Sequence, residues 1–228
     1  MATFALIHGA GDVGWSWHLV AAELRARGHQ VVAPDLPSED EAAGLEEFVQ
    51  TVVDAIGECE DLVVVGHSFG GFTAALVAER LAASQLIYVA AMIPSPGERP
   101  ADWWENTGYA EAVTEQARLD GGLTGHEDPY LSFYHQVPRE LADEAMRRSR
   151  GQTMTSSQAP WPLAQHPAVP THVLVCRDDR FFPAELLHRV TRERLGIEAQ
   201  EVPGCHCAML SHPHELAEAL MWTLPGAP

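Results

Sequence analysis

Lysine is absent from this chain of 228 residues: all 14 of its basic side chains are arginine, set against 32 acidic ones for a formal net charge of −18. A phosphate surface is repelled by that balance, so neither nucleic acid nor an anionic membrane is an expected partner. Long apolar runs are missing as well. No stretch approaches the ~20 residues that a membrane span requires. Residues 1–8 carry neither a basic region nor a small-residue cleavage site, so they read as a first strand rather than a secretion signal. Cysteine is scarce. Cys59, Cys176, Cys205 and Cys207 lack the spacing of a disulfide framework, and a chain of this length does not need one. A reducing compartment, the cytoplasm, is the expected setting. The length suits one α/β domain, and no repeat or low-complexity run divides it.

What is present is alternation. Strand patterns at 3–7, 30–33, 61–65 and 85–90 are separated by helical patterns at 15–27, 45–56 and 72–81. That rhythm predicts a mostly parallel sheet of about six strands with helices on both faces. It stops between about 92 and 170, where proline and glycine punctuate helical fragments and Trp103, Trp104, Phe133, Tyr134 and Trp161 cluster. A strand at 171–176, a helix at 183–195, a strand at 198–202 and a helix at 213–222 then complete the pattern. An insertion between two core strands is the usual site of a helical cap over an α/β active site. Its aromatics either line an apolar pocket, with Trp104, Phe133 and Trp161 as candidate substrate contacts, or form the cap's own core.

The densest chemical signal is Gly66-His67-Ser68-Phe69-Gly70-Gly71, directly after Leu62-Val63-Val64-Val65. A G-x-S-x-G motif between a strand and a helix is a nucleophile elbow, with the serine held at the tip of a sharp turn. The glycines two residues either side relieve collisions around the strained serine. A serine hydroxyl is a weak nucleophile at neutral pH and needs a neighbouring base. In this architecture the triad runs Ser, acid, His along the chain. His206 follows the strand ending near Val202, and Asp178-Asp179 follows the strand ending at Cys176. Both lie where open α/β sheets build their sites, beyond the C-terminal strand ends. His206 is therefore the expected general base. Asp179 is the preferred acid, and Asp178 caps the turn or pairs with Arg177 or Arg180. Asp35 also ends a strand but precedes Ser68, so it is expected to structure its loop. The oxyanion hole requires two backbone N–H donors. Phe69 supplies one and Ala10 the other, with Gly9 allowing the loop after the first strand to approach the substrate. His8 is expected to hold that loop by packing and hydrogen bonding, and Trp15 and Trp17 to pack.

Leu6-Ile7-His8-Gly9-Ala10-Gly11, Gly14-Trp15-Ser16-Trp17, Ala33-Pro34-Asp35-Leu36-Pro37 and the elbow itself resemble the α/β-hydrolase superfamily. Within it the chain is similar to the branch of plant methylesterases and hydroxynitrile lyases and their bacterial esterase relatives. Cys176-Arg177-Asp178-Asp179-Arg180 before Pro183, and His206-Cys207-Ala208-Met209-Leu210 before Pro213, match that branch's acid and histidine segments. The resemblance spans nearly the whole chain and is weakest across the insertion. It implies a Ser68–His206–Asp179 triad and an Ala10/Phe69 oxyanion hole. The hydroxynitrile lyases of the branch carry threonine where this chain has Gly9, and a lysine needed for cyanide where it has Cys207. Their absence points to ester hydrolysis.

The expectation is a cofactor-free, metal-free serine hydrolase of small to medium carboxylic esters, methyl esters and lactones among them. Two alternatives stand beside it. One is other chemistry on the same triad, as in a thioesterase, amidase, perhydrolase or carbon–carbon lyase. The other is a ligand-binding protein on a hydrolase fold. Cys205, His206, Cys207, His212 and His214 are dense enough to suggest zinc, but their spacing lacks a matching pair elsewhere. Cys205 is instead a candidate thiol beside the site. The oligomeric state has no signature in the sequence.

Overall fold

The computed structural model describes residues 1–224. Its strands are β1 (Thr3–Ile7), β2 (Gln30–Val32), β3 (Leu62–His67), β4 (Gln85–Val89), β5 (Thr171–Cys176) and β6 (Gln200–Val202). They form a sheet in the order β2-β1-β3-β4-β5-β6, every adjacent pair parallel. β1, β3 and β4 are buried along their whole length. A parallel strand covered on both faces is apolar on both, which explains the unbroken Leu62-Val63-Val64-Val65 run. The chain passes from β1 outward to β2, then returns across β1 to β3. The strand order therefore reverses between β1 and β3, and the crevice beyond their C-terminal ends is the natural ligand site of such a sheet.

Helices α1 (His18–Ala26), α2 (Leu45–Ile56) and α3 (Gly70–Arg80) connect the first four strands. α2 buries Leu45, Phe48, Val49, Val52 and Ile56, the one-sided spacing of a surface helix. Its first turn is closed by Glu47, whose carboxylate accepts the Gly44 N–H at 2.8 Å. α3 is different. Every residue from Gly70 to Ala78 is buried, and small side chains let it lie close against β3. The helix expected over 15–27 opens instead with a 3₁₀ turn, Gly14–Trp17, and turns α-helical only at His18. Gly14 presses on the Ala33 carbonyl so closely that a Cβ would lie 2.0 Å from its oxygen, and the Gly14 N–H is held by Asp35 Oδ1 at 2.8 Å.

Between β4 and β5 the chain forms α4 (Trp103–Asn106), α5 (Tyr109–Asp120), α6 (Pro129–Ser132), α7 (Arg139–Arg148) and α8 (Thr155–Gln158). After β5 come α9 (Ala184–Leu195), then β6, α10 (Ala208–Ser211) and α11 (Pro213–Trp222). α11 packs on α1. The start of the insertion is fastened to α9 by Glu98 and Arg194. Their charged ends meet in a two-pronged pair at 2.5 and 2.8 Å, with side chains 3 % and 10 % exposed. Asn106 Nδ2 and the Ser95 N–H also donate to Glu98, and Arg194 reaches the Ile93 carbonyl. Both Glu98 oxygens and both terminal guanidinium nitrogens are thus satisfied, as burial requires. Trp103 is fully buried below this pair and donates its indole N–H to the same Ile93 carbonyl at 3.0 Å.

Removing one partner strands the other charge. Arg194→Met should lower the unfolding free energy by about 3–5 kcal/mol, measured by urea denaturation, whereas the exposed pair Arg118–Glu115 should be replaceable with no measurable loss.

Candidate active site

The turn between β3 and α3 contains only Ser68 and Phe69, so strand runs almost directly into helix. Ser68 has φ +50°, in the left-handed region that non-glycine residues avoid. Two neighbours make this possible by having no side chain. A Cβ on Gly66 would lie 2.6 Å from Ala74 Cβ, and one on Gly70 would lie 2.5 Å from the His8 carbonyl oxygen. The Ser68 carbonyl accepts the N–H groups of Gly71 and Met92 at 3.1 and 2.9 Å, which clamps the turn between α3 and the end of β4. The side chain is thereby presented at the wall of a cavity.

Asp179 and His206 arrive from the ends of β5 and β6. Asp179, just beyond β5, is buried. Its Oδ1 accepts the backbone N–H groups of Phe181 and Phe182 at 2.7 and 2.9 Å. Its Oδ2 accepts His206 Nδ1–H at 2.7 Å. That bond fixes the ring tautomer, leaving Nε2 unprotonated and able to take a proton. Phe133, Phe181 and Phe182 surround the imidazole with centroid separations of 5.4, 5.0 and 5.3 Å. Asp178 turns away. It is exposed, its N–H donates to the Gly204 carbonyl, and its carboxylate faces the Gly204 N–H at 3.5 Å. Ser68 and His206 share the cavity, and their side chains are not hydrogen-bonded to each other; contacts of this kind tighten when substrate binds.

Two further histidines hold the frame. The Leu36 N–H donates to His8 Nε2 at 2.9 Å, so the ring proton is on Nδ1, which donates to the Gly9 carbonyl at 2.8 Å. His8 thus ties the loop after β1 to the loop after β2 as a neutral ring, and burial holds its pKa below the usual histidine value. His67 Nε2–H donates to the His206 carbonyl at 3.0 Å, linking the elbow to the His206 loop. Burial, and then the neighbouring His206, hold its pKa well below the ordinary range. Gly9 lies against both elements. A Cβ there would sit 2.8 Å from Ser68 Cβ and 3.2 Å from His67 Nδ1. The Ala10 and Phe69 N–H groups have no backbone acceptor among the described residues, and both residues line the cavity beside Ser68.

The cavity has a volume of about 470 Å³, and its walls are mostly apolar. Gly9, Trp104 and Phe133, expected to contact substrate, line it; Trp161 does not. Trp161 is fully buried on the far side of the insertion, donating its indole N–H to the Phe72 carbonyl and packing on His166. Its backbone pairs with Gly97 and Glu98, so it locks the two ends of the insertion together, the core role left open for these aromatics. Cys205 is also displaced from its expected place. It is buried off the cavity wall with Sγ toward Ser211 at 3.5 Å, and burial pushes its thiol pKa up, which disfavours the thiolate. His212 faces Ser211 and His214 pairs with Glu23 and Glu218, so the Cys/His-rich segment is dispersed rather than convergent. Asp35 holds Gly14 and Arg150, the loop-structuring part expected of it. The wall residues Met146, Phe181 and Asp12 escaped the sequence reading. For Asp12 the signal was its position two residues beyond Ala10.

Residues 4–219 match the model of the alpha/beta hydrolase family. The chain belongs to the α/β-hydrolase family. Among curated proteins, this α/β hydrolase is 27 % identical to a probable esterase, PIR7A, of Oryza sativa, over 96 % of the chain and 95 % of the relative. It is also 27 % identical to a carbendazim hydrolyzing esterase of a Nocardioides species, over 96 % and 98 %. Among solved structures, polyneuridine aldehyde esterase superposes with a TM-score of 0.79 at 21 % identity, covering 97 % of this chain and 98 % of that one. A pyrethroid hydrolase from Sphingobium faniae gives 0.77 at 23 %, covering 97 % of each.

The geometry of this hydrolase separates its two aspartates. Asp179→Asn should lower kcat by about 10⁴-fold through loss of the required tautomer, and Asp178→Asn by no more than a few-fold, in parallel ester assays. It also sets an acid limit. His8 and His67 have pKa values depressed from 6.5, so the unfolded chain binds their protons first. Their contribution is complete above about pH 6.5 and is lost as pH falls toward the depressed folded values. Urea denaturation between about pH 7.5 and about pH 5 should show stability falling with pH, with a shallower slope in His67→Gln.

Proposed function

We propose that this protein is a cofactor-free serine esterase for small to medium carboxylic esters, methyl esters and lactones among them. The observation that carries the reading is the hydrogen bond from His206 to the buried Asp179 at the wall of the same apolar cavity as Ser68. Esterase names among the relatives support it. Residues 1–228 act as a single domain in which residues 92–170 form a cap. Four unpaired thiols suit a reducing compartment, the cytoplasm.

The sequence of events follows from the groups in place. The ester seats its carbonyl oxygen toward the Ala10 and Phe69 N–H donors. Ser68 Oγ attacks the carbonyl carbon as its proton passes to His206 Nε2, and the resulting imidazolium is stabilised by Asp179. Charge on the tetrahedral oxygen is held by the two N–H groups, each contributing roughly 2.7–4 kcal/mol. The C–O bond to the alcohol breaks as His206 returns the proton to the leaving oxygen, and Ser68 carries the acyl group. Water then enters, gives a proton to His206 and attacks the acyl carbon. Collapse releases the acid and restores Ser68. Trp104 and Phe133 contact the apolar part of the substrate.

Hydrolysis of p-nitrophenyl esters of increasing acyl length tests this reading. Turnover should fall by about 10⁴-fold or more in Ser68→Ala, and Phe133→Ala should move the optimum toward longer acyl chains. A folded wild-type protein without Ser68-dependent turnover on any ester would overturn it.

A further inference from the structure

Among the described residues, Asp12 is the one carboxylate on the cavity wall. Its Oδ1 accepts the Val13 N–H at 2.8 Å, which fixes the side chain, and the neutral Ser16 hydroxyl is the other polar side chain that favours its charged form by hydrogen bonding. Neither pairing expected of such a group is present. The chain has no lysine, and no arginine lines the cavity. Arg150, whose backbone N–H binds the Gly11 carbonyl, gives its guanidinium to Asp35 instead. Arg148 lies over the Trp15 ring. The two histidines on the wall do not compensate: His67 is neutral, and His206 Nδ1 is engaged by Asp179.

We infer that Asp12 is a specificity-determining residue and that the substrates of this site are esters bearing a protonated, alkylated amine, which its carboxylate binds. The inference rests on the esterase reading above and names the substrate class within it. Three further observations agree. The rest of the wall is aromatic and sulfur-rich, through Trp104, Phe133, Tyr134, Phe181 and Met146, and aromatic faces attract alkylammonium groups. The net charge of −18 draws cations toward the molecule and repels carboxylates. Burial raises the Asp12 pKa more than its neighbours lower it, and a cationic ligand would offset that desolvation.

The test compares dimethylaminoethyl butyrate with isopentyl butyrate, in which carbon replaces the amine nitrogen, near neutral pH where the amine is protonated. A second pair, methyl dimethylaminobutyrate and its isopropyl counterpart, carries the amine on the acyl side. For at least one pair, wild-type kcat/KM should favour the ammonium ester by at least about tenfold, and the ratio should fall toward one in Asp12→Asn. Asparagine retains the acceptor for the Val13 N–H, and Asp12→Ser provides a second variant. The ratio, unlike an absolute rate, is unmoved by a general loss of folded enzyme. Binding of the same esters to Ser68→Ala by calorimetry gives the affinity ratio without turnover. Absence of Ser68-dependent hydrolysis of every ester would defeat the esterase reading alone. No preference for the ammonium ester in either pair, by turnover or by affinity, or a preference unchanged in both Asp12 variants, would overturn the inference.

Discussion

The site depends on one close approach, that of the loop after β1 to the elbow after β3. Gly9 lies so near Ser68 and His67 that even a methyl group would overlap them, and Gly70 is equally close to the His8 carbonyl. That distance brings the Ala10 N–H beside the serine without distorting the loop. It also makes the strained φ of Ser68 tolerable, because the surrounding backbone leaves no relaxed alternative. Parallel pairing of β1 with β3 sets the spacing, with Ile7 opposite Gly66 at the strand ends. The sheet register therefore sets how far the loop after β1 stands from Ser68.

Neutral histidines reinforce the same frame. His8 and His67 each use one nitrogen on a backbone group across a loop boundary, and both are kept uncharged by burial. Charging either would place a cation in the wall of the site and break an acceptor or a tautomer. Asp179 works in the opposite sense. Its carboxylate is enclosed but fully used, accepting two backbone N–H groups and one imidazole N–H. Hydrogen bonding thus defines the tautomers of His8, His67 and His206, while Nδ1 of His67 stays buried without a partner.

The core and the elbow were legible in the sequence because each is written in short-range terms. A Val-rich strand, a serine flanked by glycines and a small-residue helix follow one another without interruption. The candidate acid and base are placed by order along the chain and position after strands, and Asp179 is buried against His206 while Asp178 is exposed. The insertion was not legible in the same way. Trp104 and Trp161 look alike as residues, yet one stands at the cavity and the other is enclosed behind α3. Their difference arises from contacts such as Trp161 with Phe72 and His166, which no local period encodes. Asp12 was passed over because a single acidic residue after a glycine reads as a solvated turn. Only the fold reveals that its solvent is the cavity.

The Glu98–Arg194 fastening has a consequence for how the molecule breathes. It holds the first root of the insertion through a buried pair, with Trp103 enclosed beneath it. The stretch 150–153, midway through the insertion, is tied more lightly, by the exposed Arg150–Asp35 contact and by backbone bonds from Arg150 to Gly11 and Thr153 to Ser38. α5, between them, has no buried residue at all. Opening fluctuations are thus concentrated in one lobe, since the free energy of local unfolding follows the apolar burial and protected hydrogen bonds of each part. Hydrogen exchange in the α5 backbone proceeds on its own clock, while the amides around Ser68 exchange only when the whole sheet does.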